Sequence, residues 1–238
     1  MKDNKKIIAA IIVVLIAIAA LLFAILDTAG GKLDVIGEGS IEAFEKILQT
    51  VPNQVQTANT NRGWSLLAPD GTARFIWSEN YGNTQYDVLF ELDAQPFIDA
   101  GLDTAKLPEN YTVNDGMLLV GADLGNDATV EGEATPLAAY EQIAREHRES
   151  VSYHMAMDHY TLDLGDGNAF EWAKDLDMSA ATGESQDKDI VFALNPEPLI
   201  AAGVNPESVE GWVYSQVEMH EHGKSLKVWK LLKPFDLA

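Results

Sequence analysis

The stretch DVLFELDAQPFIDAGL, Asp87 to Leu102, returns 102 residues later as DIVFALNPEPLIAAGV, Asp189 to Val204. Over 87–107 and 189–209, seven of 21 positions are identical and eight more are conservative, among them Phe90/Phe192, Pro96/Pro198 and Gly101/Gly203. Further upstream AFEKI (Ala43 to Ile47) aligns with AYEQI (Ala139 to Ile143), and Asp70-Gly71 aligns with Asp166-Gly167, at an offset of 96. A chain that repeats itself at this spacing is a tandem duplication of a unit of about 95–100 residues, and whatever one copy folds into the other must fold into as well.

Periodicity reads the same way in both copies. Ile41, Phe44, Ile47, Leu48 and Val51 recur at helical spacing after Ser40, as do Leu137, Tyr140, Ile143 and Ala144 after Thr135-Pro136. A strand, an Asp-Gly turn and a second strand follow, the latter carrying Phe75 and Trp77 or Phe170 and Trp172. The third strand leads into a corner. There Pro96 or Pro198 starts a short helix, Gly101 or Gly203 ends it, and Asp103 or Asn205 caps one more turn. A closing hairpin completes each copy. The expected fold is therefore α+β, two tandem α-β-β-β-α-β-β repeats with antiparallel sheets, placed after an N-terminal transmembrane helix.

That helix is expected from Ile7 to Leu26, twenty consecutive apolar residues without a charge, Gly or Pro. At about 1.5 Å per residue they span roughly 30 Å, one hydrocarbon core. Lys2, Lys5 and Lys6 precede the span and Asp27 follows it, so the N-terminus is expected in the cytoplasm and the rest of the chain outside the cell membrane. The organisation is then a cytoplasmic stub and signal anchor at 1–26, a Gly-rich tether at 27–39, the first repeat at 40–125, a linker at 126–136 and the second repeat at 137–238. With no cysteine, the chain has neither a disulfide nor a cysteine-linked lipid.

The chain carries a net charge of −21; without residues 1–26 it holds 13 basic against 36 acidic groups, a net −23. Such a surface is a poor partner for nucleic acid, which selects basic faces.

No enzyme signature survives inspection. SQDK, Ser185 to Lys188, has the Ser-x-x-Lys spacing but lies in a polar loop where that chemistry needs a helix start, and Gly-x-Ser-x-Gly and His-Glu-x-x-His are absent. DLGDGN, Asp163 to Asn168, reads as a polar turn, because it lacks the alternating ligands of a calcium loop. The expectation is a non-enzymatic binding protein, with a cell-surface protein or small ligand at the junction of the two repeats.

Two further patterns point to sites. All five histidines lie in the second repeat, and His154, His159, His220 and His222, with neighbouring Met and Asp residues, would suit zinc, copper or nickel if the two clusters converged. Lys224, Lys227, Lys230 and Lys233 fall within ten residues, interleaved with apolar residues including Trp229. They read as an edge strand protected by lysines, or as a basic strip in which Lys224, Lys227, Trp229 and Lys230 meet an anionic partner. Trp64, Trp212 and Trp229 are the candidates for exposed aromatic contacts.

Overall fold

The computed structural model describes residues 45, 49, 55–58, 63–77, 86, 88–123, 151–154, 159–183, 187–221 and 224–236. The expected membrane span, the tether, the linker, His222, and the opening helices apart from helical Glu45 and Gln49 lie outside them. Residues 40–238 form one compact unit. It is a sheet-rich α+β fold, and among the described residues no helix is long and apolar enough to cross a membrane.

The first repeat contributes β1 (Val55–Ala58), β2 (Gly63–Leu67), β3 (Ala73–Trp77), β4 (Val88–Asp93), helix α1 (Gln95–Asp99), β5 (Tyr111–Asn114) and β6 (Met117–Ala122). From the second come β7 (Val151–His154), β8 (His159–Gly165), β9 (Asn168–Asp177), α2 (Ser179–Thr182), β10 (Asp187–Leu194), α3 (Glu197–Ala201), β11 (Val213–Glu221) and β12 (Lys224–Phe235). Each repeat forms one antiparallel six-stranded sheet, ordered β1-β2-β3-β4-β6-β5 and β7-β8-β9-β10-β12-β11. The two orders are the same. Each sheet has one strand more than the periodicity implies, because β1 and β7 are only four residues long, VQTA and VSYH, and carry no hydrophobic run.

The duplicated corner forms as expected. Pro96 and Pro198 sit in the first turns of α1 and α3, and Asp103 and Asn205 each accept a backbone N–H, from Ala105 at 3.2 Å and Glu207 at 3.3 Å, to cap one 3-10 turn. Its purpose emerges only when the copies meet. The Asp103 N–H donates to Ala202 O and the Asn205 N–H to Ala100 O, both at 2.8 Å. Gly101 (φ +105°) and Gly203 (φ +99°) lie against one another so closely that a Cβ on either would stand 2.8 or 2.9 Å from the other's carbonyl oxygen. Only glycine fits, for its positive φ and for the approach. The contact is reciprocal, as in an isologous dimer, so the two repeats are related by a local two-fold axis.

The core lies on that axis. Phe75 stacks on its own counterpart Phe170 at 4.4 Å and 15°, and Phe90 meets its counterpart Phe192 edge-on at 5.1 Å. All four are at most 1% exposed, and one continuous cluster of buried residues runs from Leu66 to Phe235 through both repeats. Whether the copies form separate domains was open in the sequence; they form the two halves of one sheet-on-sheet core.

Candidate functional site

Since the two copies share one fold, the places where they depart from each other are where a specific task has been added. The largest departure is the closing hairpin. In the first repeat β5 and β6 turn at Asp115-Gly116, directly after the pair Asn114↔Met117, with both turn residues at positive φ (49° and 81°). Register makes Ser215↔Lys230 the corresponding pair in the second repeat, where β11 and β12 run on to Glu221↔Lys224. Two turn residues in one copy stand where fourteen, 216–229, stand in the other.

This extension carries the most exposed large aromatic among the described residues. Trp229 is 48% exposed and stacks on Tyr214 at 4.6 Å and 22°. At its base lies an open cleft of about 540 Å³, walled by Asn110 and Tyr111 of the first repeat and by Asp166, Asn195, Trp229 and Lys230 of the second.

The floor of the cleft is a polar network that ties the repeats together. Buried Asn168 donates from Nδ2 to the Tyr111 hydroxyl oxygen at 3.1 Å and accepts the Asn195 N–H at 2.9 Å. Asn195 Nδ2 donates to Asp166 O at 2.7 Å, and Asn110 Nδ2 to the Asp166 carboxylate at 3.3 Å. Burial pushes the Tyr111 phenol up to about 12, against which its bond to Asn168 works and to which the Asp166 charge adds. The ring therefore stays neutral across the physiological range.

The lysines do not form the expected strip. β12 is flanked by β11 and β10, so it is no edge strand. Successive strand residues face opposite sides, so lysines three apart alternate: Lys227 and Lys233 share one face with Trp229, and Lys230 lies on the other. Lys230 is 4% exposed and its Nζ donates to Gly167 O at the cleft. Lys233, 8% exposed, points into the molecule, its Nζ 3.8 Å from Asp70 of the first repeat and over the rings of Trp212 and Phe235 at 5.8 and 5.7 Å. Burial lowers both ammonium groups below the ordinary lysine value, opposed by Glu171 and Asp163 around Lys230 and by Asp70 and Asp93 around Lys233. Of the proposed partner-binding set, Lys227 and Trp229 are exposed, Lys230 is not, and the Lys224 side chain lies outside the description.

The histidines are not brought to one place. His154 on β7 and His159 on β8 are register partners, whereas His220 lies on β11, paired with Ser225 of β12, at the other edge of the same sheet. Four strand spacings separate β8 from β11, about 19 Å at roughly 4.8 Å each, far beyond the reach of ligands bonding at about 2 Å. The strands of His159 and His220 are thus too far apart for the two to bind one ion, His222 lies outside the described residues, and among the described residues no three His, Asp or Glu gather as a metal site.

Trp212, the third aromatic candidate, is half-buried against Phe97 at 5.3 Å. Tyr111 carries no signal in the sequence, whereas Lys233 reads there only as one of four clustered lysines and Asn168 only as the end of a polar turn. The strand period was the available signal for Lys233, since it falls on the face of Leu231; nothing marked Asn168 beyond the change from Asp-Gly-Thr to Asp-Gly-Asn between copies. Compared with protein-family models, curated proteins and solved structures, the chain matches none of them.

Proposed function

We propose that this chain is a single-pass membrane protein whose extracytoplasmic part binds, without catalysis, a ligand or cell-surface partner in the cleft between the repeats. Anchoring through residues 7–26, with the N-terminus in the cytoplasm, rests on the unbroken apolar run and the lysines before it. Opening helices before β1 and β7 would complete the first repeat as α-β-β-β-β-α-β-β and the second, with α2, as α-β-β-β-α-β-α-β-β.

The observation that carries the binding reading is the fourteen-residue hairpin extension of the second copy, which ends in Trp229 at the cleft mouth. The first copy closes the same fold with two residues, so a repeat of this kind can close without the extension. An exposed indole beside convergent amide, carboxylate and amine groups is the make-up of a recognition site, an apolar plate with a few polar groups to fix orientation.

The test is a thermal-shift screen of residues 40–238 against glycans, peptides and small metabolites. A true ligand raises the unfolding midpoint, and Trp229→Ala abolishes that shift while leaving the unliganded midpoint within a few degrees. A ligand whose shift survives Trp229→Ala and replacement of the extension would place binding elsewhere. For the anchor, the full chain should stay in membranes after alkaline carbonate washing and be digested by protease added outside the cell; release by the wash would overturn it.

A further inference from the structure

Among the described residues three of the four sheet edges are short: β1, β5 and β7 are each four residues long. The fourth, β11, runs for nine. Its sequence, VYSQVEMHE, holds no proline and no lysine, the devices that usually keep an exposed edge from pairing. Among the described residues, no backbone hydrogen bond reaches its outer side. An edge of this length presents a row of N–H and C=O groups on which another extended backbone can pair in place of water.

We infer that β11 pairs antiparallel with β11 of a second copy of this chain, joining two six-stranded sheets into one of twelve. Two features of this edge select a second copy. Antiparallel pairing about Val217 sets Glu218 opposite Gln216, Met219 opposite Ser215, His220 opposite Tyr214 and Glu221 opposite Val213, so no like charges are directly opposed. Charge also favours this edge: with Lys230 and Lys233 buried, the hairpin from Val213 to Trp229 carries two lysines and two glutamates, net zero within a total of −21. Two copies repel each other less here than across an evenly acidic surface. The first repeat, whose equivalent edge strand stops at Asn114, has no such surface.

The test uses residues 40–238, the compact unit that contains the whole core. A strand-edge interface is small, so sedimentation velocity should show a monomer–dimer equilibrium with a dissociation constant on the order of 10–100 μM. Val217→Pro should weaken it at least tenfold. As that variant can also disturb pairing with β12, a second readout fixes the register: the chain has no cysteine, so single cysteines report cleanly. Val217→Cys should cross-link to itself under mild oxidation, and Gln216→Cys to Glu218→Cys in a mixture of the two. A monomer up to about 1 mM overturns the inference, and so does a dimer in which these positions fail to cross-link.

Discussion

The two repeats solve one folding problem and then diverge in what they bury and what they display. Around the two-fold axis they are interchangeable, Phe75 on Phe170, Gly101 on Gly203, each corner donating to the other's carbonyl. Away from it the second repeat takes liberties. Register aligns Phe90↔Val120 with Phe192↔Lys233, so where the first repeat has Val120 and Met117 the second has Lys233 and Lys230, both buried. Where the first has a tight Asp-Gly turn the second has the extension with Trp229. Duplicated folds keep the contacts that define the pairing and vary what lies outside it.

The symmetric part is tested by variants that should cost the same in either copy. The largest effect is expected for Phe75→Ala and Phe170→Ala, each removing half of a fully buried stack: a loss of about 3–5 kcal/mol in chemical denaturation, with the two values within about 1 kcal/mol of each other. Gly101→Ala and Gly203→Ala follow at about 3 kcal/mol, because each adds a Cβ against the opposing backbone and strains a positive φ. A clear inequality within either pair would mean that the axis is not where the energy lies.

Asymmetry should show in pH. The unfolded phenol of Tyr111 titrates near 10.0 and the folded one at about 12. Between those values the unfolded chain has released a proton that the folded chain still holds, so stability falls as pH rises, by at most about 3 kcal/mol in all. Tyr111→Phe should remove that fall. Its counterpart by register is Trp212, which does not titrate, so the effect belongs to one copy.

Lys233 works in the opposite sense. Its folded value is lowered by burial, so the unfolded chain binds the proton more tightly, and this group's contribution rises with pH between the depressed value and the ordinary lysine value of about 10.4. Replacing it with an apolar side chain of similar volume, Lys233→Met, should flatten that rise and leave stability at pH 7 within about 1 kcal/mol, since a buried ion pair gains little over good apolar packing. A loss of several kcal/mol would make the Lys233–Asp70 contact a true latch between the repeats.

Much of this architecture was legible because the duplication doubles every signal. The Asp-Gly turns, the corner helices and their Asx caps all stand where their residues point. Strands β1 and β7 were not legible, being short and half polar, with their place fixed by pairing to β2 and β8. The lysines show a different failure. Their spacing of three was read as a stripe although β12 was already expected to be a strand, and a period of two sends Lys227 and Lys230 to opposite faces. Distance across a sheet is what the histidines could not reveal, because strand order, not sequence, places His220 at one edge and His159 near the other. The cleft was anticipated only as a junction; its polar floor depends on Asn168 meeting Tyr111, a contact 57 residues apart in the chain.

Both repeats are built as the same structural unit, to which the second adds the extension. Replacing residues 216–229 with Asp-Gly gives the second repeat the hairpin of the first, and its thermal and denaturant unfolding beside the unaltered unit is the most direct test. The shortened protein should still unfold in one cooperative transition, with stability changed by no more than about 1 kcal/mol. Failure to fold, or a loss above about 3 kcal/mol, would show that the extension holds the fold together and would contradict its role as an added recognition element.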